Sequence, residues 1–428
     1  MANIAFVSPL PPAETGIATY SAAVLEGLRR IGFSERHRLD RVWPIGREDR
    51  DRVRQADVGV YHIGNNVEFH GDIYTLSVWN PGIVVLHDLA LDGLMGGLTL
   101  TRSPLASPAR REAFSKVGRP YLPLEESVID DPLEIPWCAQ VVRRARAVIV
   151  HSGFARDYLQ AFGCLTPVFV APHPIVEREE DVTTAIHLGK TLRSRLDRPS
   201  DEVLIGVAGH LNEAKGIVEV LDAFRRIRHP VRLLLLGRLS EYLDVQVVIR
   251  RSGLANRVTV VANAPDDEFL AWLSACDVVV NLRYPHRGET SGSLLRALQI
   301  GLPAVVSATG SYREWPDDAV VKIPSGQPSP KQLAAALDDL IEHPDARRTI
   351  GARARRYVLE ACSEEATARV YERAIEETMS LTANLRERAL ARWSRSLVEC
   401  GANVDSARMG HGLRFAQAVV ELGAGGTR

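Results

Sequence analysis

The residues best placed to do chemistry lie in Arg283-Tyr-Pro-His-Arg-Gly-Glu-Thr-Ser-Gly-Ser293, a polar, glycine-bearing loop that runs into an apolar-striped segment. Leu294, Leu295 and Leu298 recur at helical spacing, Gly301 stops the helix and Pro303 keeps it from resuming. Thr290, Ser291 and Ser293 therefore stand at a helix N-terminus, where free N–H groups and the positive end of the helix dipole attract an anion. Gly292 lets that anion approach the backbone. The chemistry this suggests is the binding of a diphosphate, although an ordinary Ser/Thr helix cap uses the same residue types.

A second loop offers a cation. The apolar run Val203–Ala208 empties into Gly209-His-Leu-Asn-Glu-Ala-Lys-Gly216 and then a helix striped by Ile217, Val220, Leu221, Phe224 and Ile227. Lys215 stands just before that helix, where its ammonium would add to the dipole in holding a phosphate. Gly16 opens another helix after a strand and either admits an anion or merely makes the turn. The apolar strand Gly82–Leu86 stops at His87-Asp88. His87 there is a general base, a hydroxyl-binding group or a helix cap, its tautomer set by a neighbour such as Asp88.

These loops need strands to position them. Ile4–Val7, Val58–His62, Gly82–Leu86, Arg146–Val150 and Val168–Ala171 alternate with helical stretches, and the pattern repeats at Val203–Ala208, Val231–Leu236, Val258–Val261, Asp277–Leu282, Pro303–Val306 and Ala319–Ile323. Apolar strands alternating with helices predict parallel sheets with ligands at the carboxyl ends of the strands. The fold class expected is α/β, with two Rossmann-like doubly wound domains facing across a cleft. The domains are residues 1–175, with a proline-rich insertion at about 96–136 that shapes a substrate cleft or forms a lid, residues 176–380, and a helical extension at 381–428. The polar stretch 176–190 marks the boundary. Two helices, near 381–400 and 411–422, are expected in the extension.

Composition narrows the class. The 428 residues are 46% hydrophobic and 25% charged, with 52 basic and 53 acidic residues and a net charge of −1. That near-neutral balance argues against a nucleic-acid partner. The five cysteines are far apart, with no zinc or disulfide spacing, which points to a reducing cytoplasm. The chain enters a strand at once, without a signal-peptide pattern, and has no apolar run of membrane-spanning length. Peripheral contact at the inner face of the plasma membrane is compatible with this. No Asp/Glu/His cluster has metal-ligand spacing, so no metal and no other cofactor are expected.

Together these motifs resemble the retaining glycosyltransferases of the GT-B fold, the large group that includes sucrose synthases and bacterial mannosyltransferases. The resemblance runs to about residue 380. It is carried best by GHLNEAKG at 209–216 and RYPHRGETSGSLLRALQIGLPAVVS at 283–307. Within the group, Val7-Ser-Pro-Leu-Pro-Pro12, the Gly16-Ile-Ala…Tyr20 segment, YHIGNN at 61–66 and VVLHD at 84–88 are similar to one bacterial subgroup. The resemblance implies a nucleotide-sugar donor held by the second domain and a saccharide or lipid-linked acceptor held by the first. It places Gly16, Gly209, Asn212, Lys215, Glu289, Thr290, Ser291, Gly292, Ser293 and Arg296 at the donor. Tyr61, Asn65, His87 and Asp88 fall at the acceptor, and His87, Lys215 and Glu289 at the chemistry.

Two departures stand out. The group pattern is a glutamate, seven residues and a second glutamate that holds the ribose; here Arg296 occupies the second position and Glu289 is displaced by one from the first. The group's phosphate-binding arginine beside Gly209 is replaced by His210. Arginine cannot accept hydrogen bonds from ribose hydroxyls, so the nucleoside must be held in another way. A sugar-nucleotide epimerase of the same fold and a non-catalytic nucleotide-sugar-binding protein are the alternative readings.

Overall fold

The computed structural model describes residues 1–118, 131–196 and 202–399. The chain divides into two compact units, Met1–Glu372 and Arg373–Arg428. The first contains two six-stranded sheets in which every pairing is parallel. One is built from β1 (Asn3–Val7), β2 (Arg38–Val42), β3 (Val58–Ile63), β4 (Ile83–Leu86), β5 (Ala147–Val150) and β6 (Val168–Val170), in the order β2-β1-β3-β4-β5-β6. The other comprises β7 (Val203–Ala208), β8 (Val231–Gly237), β9 (Val258–Ala262), β10 (Val278–Asn281), β11 (Ala304–Ser307) and β12 (Val321–Ile323), in the order β12-β11-β10-β7-β8-β9. This is the GT-B arrangement of two α/β sheets.

The central strands β3, β4, β5, β10 and β11 are buried along their whole length. Helices on both faces of a parallel sheet require that, and it explains why these strands read as unbroken apolar runs. The edge strand β2 (RLDRV) is charged and buried only at Val42, so it carries no apolar pattern and escapes sequence reading. In each sheet the order reverses direction once. It reverses between β1 and β3 in the first sheet and between β7 and β10 in the second. The loops leaving strands at such a switch point spread apart and leave a crevice at the carboxyl edge. Lys215 follows β7 and the Thr290–Ser293 turn follows β10, so topology alone delivers both to one crevice.

The polar stretch at 176–190 belongs to helix Glu179–Ser194. Its buried Val182, Ala185, Gly189 and Leu192 form a narrow stripe packed on Leu270 and Ala271 of helix Asp266–Ser274. The stripe is narrow because the approach is close. A Cβ on Gly189 would sit 2.1 Å from Ser274 Oγ and 2.6 Å from the Ala271 carbonyl oxygen. Gly96 and Gly97 of the insertion lie inside helix Asp92–Leu100. There a Cβ on Gly97 would meet Val67 at 2.3 Å. Helix Ala106–Lys116 follows, and the middle of the expected lid, 119–130, lies outside the described residues. The helix expected near 381–400 is the continuation of Glu364–Glu399; that expected at 411–422 also lies outside the described residues. No described helix is long and apolar enough to cross a membrane.

The Gly189 contact gives a direct test of this packing. Gly189→Leu should lower unfolding stability by about 1–3 kcal/mol or more by forcing the two helices apart, measured as a loss of denaturant midpoint with unchanged slope.

Candidate functional site

The turn after β7 begins at Gly209, whose φ of +109° lies in a region that favours glycine. The turn leaves the Ala208 carbonyl at the open edge of the sheet, and two groups converge on it. Lys215 Nζ donates to it at 2.8 Å and Ser293 Oγ at 3.0 Å. A Cβ on Gly209 would lie 3.0 Å from Ser293 Oγ and 3.4 Å from Lys215 Nζ, so glycine here keeps the space between them open. Lys215 is only 3% exposed. It makes no ion pair among the described residues, and its ammonium has one acceptor. Burial, reinforced by the Arg283 charge and opposed by Glu289, pushes its pKa well below the usual lysine value.

The helix Gly292–Ile300 starts at the opposite wall. Ser291 is its extended N-cap, accepting from the Leu294 N–H. Asn281, fully buried at the end of β10, donates from Nδ2 to Ser291 Oγ and Ser293 Oγ, and Arg283 Nη2 also reaches Ser291 Oγ. The hydroxyls are thereby locked, while the first amides of the helix have no intrahelical acceptor and Gly292 is exposed. Glu289 precedes the turn. Its carboxylate pairs with Arg283 Nε at 2.9 Å and accepts the Arg287 amide at 2.6 Å, and its carbonyl accepts from Ser311 Oγ.

The first sheet contributes a chain of imidazoles from the carboxyl ends of β3, β4 and β5. His151 Nδ1 lies 3.2 Å from the Ala171 carbonyl, His151 Nε2 3.2 Å from His87 Nδ1, and His87 Nε2 3.1 Å from His62 Nδ1. A carbonyl only accepts, which fixes every proton in turn. His151 donates from Nδ1, His87 donates from Nδ1 to His151 Nε2, and His62 donates from Nδ1 to His87 Nε2. His62 Nε2 is left buried without a partner. The tautomer of His87 is therefore set by His151 and His62, and Asp88 is turned elsewhere, accepting the Asn65 amide at 3.0 Å. With both ring nitrogens engaged, His87 offers its ring, stacked edge-on against Tyr20 at 4.7 Å, and no free lone pair.

The two sheets meet through the loop after β4. Arg287 makes a bidentate pair with Asp92 at 2.9 and 3.0 Å, and its carbonyl accepts the amides of Leu89 and Ala90. Asn65 braces the same point, donating to Asp92 Oδ1 and accepting from the Leu94 amide. Asp88 consequently faces Glu289. Burial, aided by the Glu289 charge, pushes the Asp88 pKa up to about 7.

The sequence candidates thus divide. Gly209, Lys215, Glu289, Thr290, Ser291, Gly292 and Ser293 lie on the β7 and β10 loops around one crevice, and the Asn212 carbonyl accepts the Lys215 amide to close the turn. Gly16 begins helix Gly16–Arg30 and has open space where a Cβ would stand. Asn65 is spent on bracing the Asp92 loop. Tyr61 departs from expectation. It is 1% exposed in the core of the first sheet, donates to the Asn80 carbonyl and would strike a Cβ on Gly59, so it points away from the carboxyl edge. Arg296 is occupied by Glu177 at 2.7 Å and Asp266 at 3.1 Å, over the Phe269 ring. That arrangement brings the Glu177 carboxylate beside the helix that lacks a glutamate of its own. Two residues receive no role from the sequence: Arg283, the first residue of the β10 loop stretch, and His173, between two prolines after β6. Their position just past the end of a strand was the available signal.

The histidines also fix how stability responds to acid. Burial lowers His70 and His173 to about 4 and His151 to about 3, from an ordinary 6.5. The unfolded chain therefore takes up protons on these groups from about pH 6.5 downward while the folded chain resists. Stability should be full above that pH and fall toward pH 4, by up to about 1.4 kcal/mol per histidine per pH unit. Urea melts at pH 7.5, 6 and 5 check this; a flat profile contradicts it.

Comparison with known proteins bears on the fold. Residues 190–357 match the family model described as Glycosyl transferases group 1. The chain is 28% identical over 169 residues to the D-inositol 3-phosphate glycosyltransferase of Xylanimonas cellulosilytica, a match covering 38% of this chain and 40% of that relative's length. Among solved structures it is similar to the sucrose-phosphate synthase of Thermosynechococcus elongatus (TM-score 0.62, 18% identity, 89% of this chain and 100% of the other). It is also similar to Anabaena HepE in complex with UDP-glucose (TM-score 0.59, 16% identity, 89% and 100%). A third similar structure is WaaG, a glycosyltransferase involved in lipopolysaccharide biosynthesis (TM-score 0.56, 14% identity, 87% and 98%). The chain therefore has the GT-B fold, with a glycosyl transferases group 1 region in its second sheet.

Proposed function

We propose that this protein is a retaining, metal-independent hexosyltransferase that moves a sugar from a nucleoside-diphosphate donor to a saccharide or lipid-linked acceptor, as in polysaccharide assembly, and works in the bacterial cytoplasm. The observation that carries the reading is the buried Lys215 ammonium, held on a single carbonyl beside a bare helix N-terminus. A buried cation without a counter-ion is costly, and an anion at the amino end of helix Gly292–Ile300 would supply one. The HepE complexes with UDP and UDP-glucose support a nucleotide sugar as that ligand.

The reaction follows from where charge grows. As the bond from the anomeric carbon to the diphosphate oxygen breaks, negative charge builds on the phosphate. Lys215, the Gly292 and Ser293 amides and the helix dipole lie fixed around it before the reaction begins. The acceptor oxygen forms the new bond on the face the diphosphate leaves, and its proton passes to the departing phosphate oxygen. Glu289, held by Arg283 and the Arg287 amide, orients sugar hydroxyls opposite Asp88. The electrostatic work asked of a metal elsewhere is done here by Lys215 and the helix.

With a panel of radiolabelled nucleotide sugars and saccharide acceptors, transfer should persist in EDTA and give product with the donor's anomeric configuration by NMR. Lys215→Ala should reduce kcat about 10²–10³-fold. Wild-type rates in the Lys215→Ala variant, or an inverted product, would overturn the proposal.

A further inference from the structure

His173 stands where the first sheet hands the chain to the second. Flanked by Pro172 and Pro174, its backbone is confined. Its Nδ1 lies 3.0 Å from the Pro174 carbonyl, which can only accept, so the ring proton resides on Nδ1. Nε2 is then a bare lone pair when the ring is neutral. That edge faces the amino end of helix Gly292–Ile300: Nε2 and Cε1 lie 3.9 Å from the place a Cβ on Gly292 would occupy. Tyr20 of helix Gly16–Arg30 packs edge-on at 5.0 Å and His151 of the β5 end stands at 6.2 Å. Arg296 approaches from the helix, its charge shared with Glu177 and Asp266. No carboxylate pairs with His173 among the described residues. Burial, with a lesser push from Arg296, keeps it neutral.

An anion bound at this helix terminus would meet the Nε2 lone pair, a repulsive contact. Only the imidazolium, with a proton on both nitrogens, can donate there. We propose that a nucleoside diphosphate binding at the amino end of helix Gly292–Ile300 draws one proton from solvent onto Nε2 of His173, which becomes an arm of the site beside Lys215 and the helix amides. The inference rests on the nucleotide-sugar reading of the crevice. It assigns His173 as a ligand-binding residue and makes donor binding proton-linked.

Two other groups on the crevice could take up that proton. His210 is lowered by burial and by Arg238 and Lys215, and Lys215 is itself well below its usual value. The experiment must separate them. Titration calorimetry of UDP, GDP and ADP is run on the full chain above pH 7.5, where the terminal phosphate is already ionised. Buffers of differing ionisation enthalpy report protons exchanged. The wild type should take up close to one proton, with affinity falling roughly tenfold per pH unit as the pH rises toward the bound-state pKa of His173 and levelling off above it. His173→Gln should bind the same nucleotide with no proton uptake and a flat pH dependence, whereas His210→Gln should retain the uptake. Thermal melts verify that the variants are folded, and the His173 Cε1 carbon shift of the wild type, followed by NMR with and without UDP, should move to the imidazolium value on binding. Binding without proton uptake, uptake that persists in His173→Gln, or an unmoved His173 signal overturns the inference and leaves the nucleotide site standing. Failure of all three nucleotides to bind the wild type overturns both.

Discussion

A single buried ammonium organises the crevice. Lys215 spends one hydrogen bond on the Ala208 carbonyl, and that carbonyl is available because Gly209 turns the chain sharply away from β7. Ser293 Oγ shares the carbonyl, which ties the β7 loop to the first turn of helix Gly292–Ile300. The arrangement is electrostatically unbalanced. Lys215 and Arg283 bring two positive charges, the helix adds its dipole, and only Glu289 opposes them. A protein keeps such an imbalance only where the fold over-determines it. Here the buried strands β7 and β10 hold both loops rigidly at the switch point of the sheet.

The opposite wall is polar but uncharged. The hydrogen bonds from the Ala171 carbonyl through His151 and His87 to His62 are those of neutral rings, since a proton added to His151 or His87 would set two N–H groups face to face. Neutral imidazoles bond to one another without attracting a counter-ion, so the charges around Lys215, those of Arg283 and Glu289, come from the second sheet. One connection between the walls is the Arg287–Asp92 pair with its two backbone hydrogen bonds. Half-buried and bidentate, it is stronger than an exposed ion pair. It sets Asp88 against Glu289, and burial, aided by that charge, pushes the Asp88 pKa up to about 7.

Much of this was legible in the sequence because apolar strands and glycine turns declare themselves locally. The doubly wound pattern, the helix terminus at Ser291 and the placement of Lys215 follow from periodicity and turn residues alone. What was not legible depends on partners distant in the chain. Tyr61 reads as a strand-end polar residue, yet the period of two turns it toward Gly59 and the core. Helix Glu179–Ser194 reads as a domain boundary because Gly189 and Ala185 make half of its buried stripe, and small residues leave that stripe faint in the sequence. His87 reads as a base until His62 and His151, 25 and 64 residues away, are seen to occupy both its nitrogens.

The departures from the family pattern have a common physical consequence. An arginine beside Gly209 would carry charge at every pH, and a glutamate at 296 would present a ready acceptor to a ribose. This chain has His210 and Arg296 instead, so one permanent cation has become titratable and one carboxylate has moved to Glu177, gripped by Arg296 rather than free. With fewer fixed charges, the crevice is lined by groups that burial holds below their usual pKa values: Lys215, His210 and His173. Desolvation that weakens a cation in the empty site is reversed when an anion enters, because the pair is then neutral together.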